Sequence, residues 1–108
     1  MSSKNEDLDR FGRFSEPAVM ILVSLAECPK HGYAITDDIE RITGHRPGPG
    51  TLYGAIARLE SRGFIKPLKS DDHRVPYELT LDGTRALKAR LDAMERVSRV
   101  GFERLARA

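Results

Sequence analysis

The sequence predicts a mainly α-helical protein that carries one β-hairpin and ends in a long helix. Apolar residues recur at three- and four-residue intervals through most of residues 15–62, which is typical of helices packed on a core. The pattern changes to short strand-like runs over residues 64–80, and helical spacing returns for residues 81–107. The 108 residues suit one globular domain, and no apolar run reaches the roughly 20 residues that a membrane span needs.

Residues 1–14 are predicted to form a flexible N-terminal arm, because they are polar and carry several acids. This composition also argues against a secretory signal. Phe11 and Phe14 are the apolar residues of the arm that could pack on another part of the protein. Ser15 is a good N-cap for a first helix, which the Cys28–Pro29 step should end.

A second helix is predicted from Gly32 to Thr43, followed by Gly44 as its natural C-terminal residue. Its apolar positions are Tyr33, Ile35, Ile39 and Ile42. The residues expected to face solvent are Asp37, Asp38, Glu40 and Arg41.

The run from His45 to Gly50 alternates proline and glycine and is predicted to be an irregular connection. A third helix should follow from Thr51 to Arg62. One face of this helix consists of Leu52, Ile56 and Leu59, at spacings of four and three residues.

A β-hairpin is predicted next. Residues 64–69 and 75–80 are the strand candidates, and residues 70–74 have the polar chemistry of a turn. Pro67 and Pro76 predict either edge positions or fraying in both strands, because proline cannot donate a ladder hydrogen bond.

The last helix is predicted from Leu81 to Arg107, with Thr80 or Asp82 as its cap. It carries an apolar stripe longer than a small domain can cover, so we expect a homodimer in which the stripes of two subunits pair. The predicted interface comprises Phe11, Phe14, Leu87, Leu91, Met94, Val97, Phe102 and Leu105.

This order of elements predicts a winged helix-turn-helix over residues 15–80, followed by a dimerisation helix over residues 81–108. In such a fold the third helix enters the DNA major groove and the hairpin forms a wing on the neighbouring backbone. Arg58 is the one long cation on the exposed face of that helix, and its guanidinium group can donate two hydrogen bonds to a guanine base. The predicted DNA contacts are Tyr33, Gly50, Thr51, Tyr53, Gly54, Arg58, Lys69, His73 and Arg74.

Charge is distributed unevenly along a chain of net charge +2. Residues 1–44 hold five basic and eight acidic residues, whereas residues 45–108 hold thirteen basic and eight acidic ones. A basic half can bind a polyanion. From charge alone, solvated helix faces explain the same asymmetry.

The sequence gives little support for a catalytic site or a metal site. His31, His45 and His73 are scattered without metal-ligand spacing, and no nucleophile has a supporting motif. We therefore predict no enzyme activity, no metal and no cofactor, and expect His31 either to cap the second helix or to contact phosphate, with the cap favoured. Cys28 is the one cysteine, which suits a reducing cytoplasm, and it is predicted to be a small buried hydrophobic residue.

Several motifs together resemble the PadR family of transcriptional regulators. They are His31-Gly32-Tyr33, Gly50-Thr51-Leu52-Tyr53, the run from Arg58 to Ile65, Arg74, and the run from Tyr77 to Gly83. The resemblance extends from about residue 17 to residue 90. It implies a prokaryotic, dimeric, cytoplasmic regulator, usually a repressor, of the short branch with a single C-terminal helix.

The resemblance also implies specific sites. It places the recognition-helix motif on Gly50 to Gly63, the wing arginine on Arg74, and a small aromatic or drug-like effector at the dimer interface. The chain departs from the family pattern at Gly54, where the family often has proline, and it has no tryptophan for stacking on an effector.

The alternative is a winged-helix module that binds protein without binding DNA. A docking surface of that kind would more often present apolar anchors than the cations Arg58, Lys69 and Arg74. These three residues therefore favour DNA.

Overall fold

A computed structural model of the chain describes residues 17–71 and 73–108. The predicted arm with Phe11 and Phe14, and the predicted cap Ser15, lie outside these residues. The elements in chain order are α1 (Pro17–Glu27), β1 (Lys30–His31), α2 (Gly32–Thr43), α3 (Pro49–Ser61), β2 (Ile65–Pro67), β3 (Pro76–Leu79) and α4 (Leu81–Arg107). The predicted class, a mostly helical protein with a small antiparallel sheet, is confirmed.

The caps predicted from sequence explain the ends of α2 and α4. The Ala34 N–H donates to Nδ1 of His31 at 3.4 Å, so His31 caps α2 as expected. The helix ends at Gly44, whose φ of +80° is a left-handed conformation that favours glycine. At the start of α4, the Gly83 N–H donates to Oγ1 of Thr80 at 3.0 Å, which makes Thr80 rather than Asp82 the cap.

Helix α3 begins two residues earlier than the sequence predicted. Pro49 and Gly50, assigned to an irregular connection, form its first turn, and Gly48 is the N-cap residue. The Leu52 N–H donates to the Gly48 carbonyl at 2.9 Å. Proline is well tolerated at this first position, because its φ already suits a helix and the N–H that it lacks would have no helical partner.

The hairpin is part of a three-stranded sheet rather than a two-stranded one. The strand order is β1-β3-β2 and both pairings are antiparallel, with Lys30 opposite Tyr77 and His31 opposite Pro76. Pro67 lies on an edge strand as predicted, but Pro76 lies on the central strand. Pro76 is tolerated there because it is the first residue of β3.

The core lies between α1, α2, α3, the start of α4 and the sheet. Its buried apolar residues are Ile21, Leu22, Leu25, Ile35, Ile39, Leu52, Ala55, Ile56, Leu59, Ile65 and Leu87. The predicted apolar face of α3 is therefore confirmed. On α2 only two of the four predicted apolar positions are buried, because Tyr33 and Ile42 are exposed.

Asp38 was expected to face solvent, but it is buried beside α1 and β1. Its Oδ1 accepts a hydrogen bond from Arg41 at 2.8 Å, and its Oδ2 lies 3.8 Å from the buried Nζ of Lys30. The Ser24 hydroxyl lowers the pKa of Asp38 most, and Arg41 and Lys30 also lower it against the opposing effect of burial. The Ser24 contact is a long one, since within 3.5 Å its Oγ has no partner among the described residues.

Cys28 was predicted to be buried, but it is exposed in the link between α1 and β1. Helix α1 ends at Glu27, so Cys28 does not lie on the packed face of that helix. The packed positions on α1 therefore end at Leu25, the last buried residue of that helix.

Candidate nucleic-acid interface

The face of α3 opposite the core is small and polar. Thr51, Tyr53, Ala57, Arg58 and Ser61 are exposed on it, and Gly54 is half-buried. Small side chains leave room for a base-pair edge or a phosphate group close to the helix. The face thus has the surface expected of a recognition helix.

The N-terminus of α3 presents backbone donors. Gly48 makes no side-chain cap, Pro49 has no N–H, and the Leu52 N–H is already bonded to Gly48. The amides of Gly50 and Thr51 therefore remain as first-turn donors, and both residues are exposed. Such a helix end suits an anion, which agrees with the sites predicted at these two residues.

Arg58 lies back along α3 toward Gly54. A Cβ built on Gly54 would lie 3.6 Å from Nη1 of Arg58, which is an ordinary van der Waals distance. The glycine therefore leaves the guanidinium group close to the helix surface. Within residues 17–71 and 73–108, Arg58 has no ion pair.

Tyr53 packs against the start of α2 through Gly32. A Cβ on Gly32 would overlap the Tyr53 hydroxyl and would lie 2.7 Å from its Cζ. Gly32 is therefore required for this position of the ring, which remains 53% exposed. Burial is the main cause that raises the pKa of the neighbouring Tyr77, followed by the charges of Glu60 and Tyr53. The predicted phosphate or sugar contact of Tyr53 would use a ring held by two helices.

Arg46 is a residue of this region that the sequence analysis missed. Its Nη1 donates to Asp37 at 2.7 Å and to Glu40 at 2.9 Å, and its guanidinium carbon lies 5.3 Å from the centre of the Tyr33 ring. The hydrogen bond to Asp37, then that to Glu40, raises the pKa of Arg46 further above its ordinary value. Tyr33, a predicted DNA contact, is exposed but has this cation over its ring.

The wing places its predicted contacts at the hairpin tip. Lys69, His73 and Arg74 are all exposed between β2 and β3. The Leu68 N–H donates to the Pro76 carbonyl at 2.9 Å, which extends the hairpin toward this tip. The predicted sites therefore form two groups in different elements, one on the wing and one on α3 with the start of α2.

The predicted dimer surface on α4 divides into a buried and an exposed part. Leu87 is buried in the core of its own subunit, because the first turns of α4 pack against α1. This residue is therefore unavailable to a partner, contrary to the prediction. The predicted stripe residues that are exposed are Leu91, Met94, Val97, Phe102 and Leu105. Val100, which the prediction omitted, is also partly exposed beside a shallow depression at Gly101.

Across residues 17–71 and 73–108, no three His, Cys, Asp or Glu side chains lie close enough together to hold a metal ion. Among the same residues, no helix is both long and apolar enough to cross a membrane.

Three helices, a β-hairpin wing and a long final helix define a winged-helix protein. Residues 21–89 match the family described as Transcriptional regulator PadR-like family, and this range is most of the chain. The chain belongs to this family. Members of this family are transcriptional regulators rather than enzymes.

The chain is similar in sequence to a known bacterial protein. The chain is 42% identical over 91 residues to an uncharacterised 37.1 kDa protein in transposon TN4556 of Streptomyces fradiae, which covers 84% of this chain and 26% of that protein. The chain thus spans about a quarter of that relative's length.

Two solved structures of regulators share the fold. A transcriptional regulator from Clostridium thermocellum is 31% identical, with a TM-score of 0.71 over 77% of this chain and 86% of that one. A PadR family transcription regulator from Clostridium difficile is 25% identical, with a TM-score of 0.75 over 83% of this chain and 98% of that one.

Proposed function

We propose that the protein is a sequence-specific DNA-binding repressor that binds an inverted-repeat operator as a homodimer. The observation that carries this proposal is the exposed face of α3, which is small and polar and has Arg58 as its long cation. An arginine in the major groove can donate two hydrogen bonds to guanine. Lys69 and Arg74 on the wing supply charge for the neighbouring phosphates.

The surface of α4 supports the homodimer in this proposal. Its apolar stripe from Leu91 to Leu105 is exposed in the single subunit. Water disfavours an apolar stripe of this length, so pairing it with the same stripe of a second copy stabilises both subunits. A two-fold axis between them would set two recognition helices about 34 Å apart, which is one turn of DNA.

Relief of repression by a small aromatic or drug-like molecule is part of the proposal. Two α4 helices packed around Gly101 and its shallow depression would leave apolar space near their axis. We place the protein in the cytoplasm of a prokaryotic cell, on the nucleoid when it is bound to DNA, because that is where a transcriptional regulator meets its operator.

The alternative function is a protein-docking winged helix that does not bind DNA. Val75 and Leu81, which are exposed near the ends of β3, are two apolar residues beside the wing that such docking could use. They flank a wing whose tip carries Lys69 and Arg74, and these cations favour a phosphate backbone over an apolar partner.

The experiment that tests the proposal combines selection of genomic fragments with a salt titration. Fragments retained by the purified protein are sequenced and footprinted, and an inverted repeat is expected. Two subunits that each place three to five cations on phosphates imply a log–log slope of roughly −5 to −9 for affinity against salt concentration. Affinity that does not respond to salt, or no fragment retained, would favour the protein-docking alternative.

Arg58→Ala and Lys69→Ala should have different effects on binding. Arg58→Ala should cost about 1–3 kcal/mol for the selected operator and little for unrelated DNA, because it removes a base contact. Lys69→Ala should weaken binding to both sequences alike, because a phosphate contact carries no sequence information. Fluorescence anisotropy with operator and scrambled duplexes measures both effects. Equal losses on both duplexes for Arg58→Ala would make it a phosphate contact only.

A further inference from the structure

The turn that leads into α3 carries a cation that is bound to two acids of α2. Nη1 of Arg46 donates to Asp37 at 2.7 Å and to Glu40 at 2.9 Å. These are the two acids on the exposed side of α2, whereas Asp38 points inward to Lys30 and Arg41. Arg46 therefore covers the negative charge that α2 would otherwise present to solvent on this side.

This covered surface adjoins the proposed DNA-binding face. Tyr33, Asp37 and Glu40 are spaced four and three residues apart, so they share one side of α2. Tyr33 directly follows Gly32, on which the exposed Tyr53 of α3 packs. Arg46 itself lies just before the first turn of α3, where the Gly50 and Thr51 amides are exposed. A duplex that contacts this end of α3 therefore comes near Asp37 and Glu40.

We propose that Arg46 is a positioning residue for DNA binding, which acts through Asp37 and Glu40 by neutralising carboxylates that would otherwise repel the DNA phosphates. The inference rests on the proposed function. It concerns a residue whose own hydrogen bonds go to the protein. Like charges brought together at an interface oppose association, whereas a paired carboxylate has a much weaker field.

The net charge of this cluster predicts that loss of Arg46 lowers the affinity for DNA. With Arg46 in place, the cluster of Arg46, Asp37 and Glu40 has a net charge of −1, and without Arg46 it has a net charge of −2. The two acids occur in both subunits of the proposed dimer, so the change is doubled on one operator. Screening acts over about 10 Å at 0.1 M salt, so the effect should shrink as salt concentration rises.

The test uses four forms of the full chain and one probe. The forms are the wild-type protein, Arg46→Ala, the double variant Asp37→Asn with Glu40→Gln, and the triple variant that combines all three changes. The probe is a labelled mixed-sequence DNA duplex of about 30 base pairs, because the repulsion does not depend on sequence. Circular dichroism and thermal unfolding confirm that each form is folded.

The expected results distinguish neutralisation of Asp37 and Glu40 by Arg46 from a direct contact between Arg46 and the DNA. Arg46→Ala should weaken binding about tenfold at low salt and less at high salt. The triple variant should recover to within about threefold of wild type, because the acids that Arg46 covered are then neutral. The double variant should bind more tightly than wild type, since it keeps the cation and lacks both negative charges.

Three outcomes would overturn the inference. A triple variant as weak as Arg46→Ala would show that Arg46 itself binds phosphate or holds the turn. An Arg46→Ala protein with wild-type affinity would show that the carboxylates lie too far from the DNA to matter. Failure of the folded wild-type protein to bind any duplex would overturn the proposed function, and the inference with it.

Discussion

Leu91→Asp should convert the proposed dimer to a monomer and should weaken binding to the proposed operator by about 100-fold or more. Leu91 is 42% exposed in the single subunit, so the substitution leaves the core of the winged helix intact. In the proposed dimer it would bury an unpaired carboxylate between two α4 helices, which is strongly unfavourable. The loss of affinity follows because a monomer holds one half-site, and linked half-sites gain a factor of 10²–10⁴.

The matched control for this variant is Ala89→Asp. Ala89 is also exposed on α4, and it lies two residues away on the opposite side of the helix. The same charge is thus added to the same helix without entering the stripe. Size exclusion with light scattering measures the mass, and a gel shift measures binding to the selected operator. A Leu91→Asp protein that remained dimeric would place the interface elsewhere, and a monomer with full affinity would refute the dimer mechanism.

Gly83→Ala should destabilise the fold by about 3 kcal/mol, a large effect for a change of one methyl group. A Cβ at this position would overlap the backbone carbonyl oxygen of Phe64 and would lie 2.9 Å from Cδ1 of Leu79. Backbone atoms cannot move aside as the end of a flexible side chain can. The first turn of α4 would therefore have to separate from the segment that follows α3.

Gly101→Ala is the control for the Gly83 variant, because it makes the same change in the same helix. A Cβ on Gly101 meets no atom within 4 Å among the described residues. Alanine there should leave the free energy of unfolding unchanged or raise it by up to about 1 kcal/mol, through helix propensity. Urea denaturation followed by circular dichroism measures both variants, each made in the Leu91→Asp background so that the proposed dimer interface does not contribute to stability. Equal stability of the two variants would contradict the close approach at Gly83.

The contacts around Gly83 have a consequence for DNA binding. The Thr80 N–H donates to the Phe64 carbonyl at 3.1 Å, and the Thr80 hydroxyl donates to the Gly63 carbonyl at 2.6 Å. The cap of α4 is thereby joined to the residues that immediately follow α3. In the proposed dimer, this junction would transmit the geometry of the paired α4 helices to the recognition helices.

Local signals in the sequence predicted much of this structure correctly. The bounds of α2, its His31 cap and its Gly44 end all depend on residues a few positions apart. The buried face of α3 and the Thr80 cap of α4 follow from the same short-range rules. These features need only helix periodicity and a hydrogen bond within one turn, so neighbouring residues contain the required information.

Features that join distant parts of the chain could not be predicted in this way. Strand β1 has two residues, too few for any period, and it exists because β3 pairs with it. In the sequence, Asp38 has the position of a solvent-facing residue on an amphipathic helix. Its burial becomes favourable because the fold brings Ser24 and Lys30 close to its carboxylate, which Arg41 also binds. In the sequence, Arg46 is only one residue of an irregular connection. Its ion pairs with Asp37 and Glu40 exist because the fold places this connection beside α2.

The sequence by itself determined the class of protein, the helices and their caps, and the motifs that resemble the PadR family. Tertiary structure decided how α4 divides between core and surface, since Leu87 and Leu91 occupy equivalent positions in one stripe. Leu87 belongs to the buried core that includes residues of α1, whereas Leu91, one turn further along α4, is exposed. Periodicity shows which side of a helix is apolar, whereas the length of a neighbouring element determines where its burial stops.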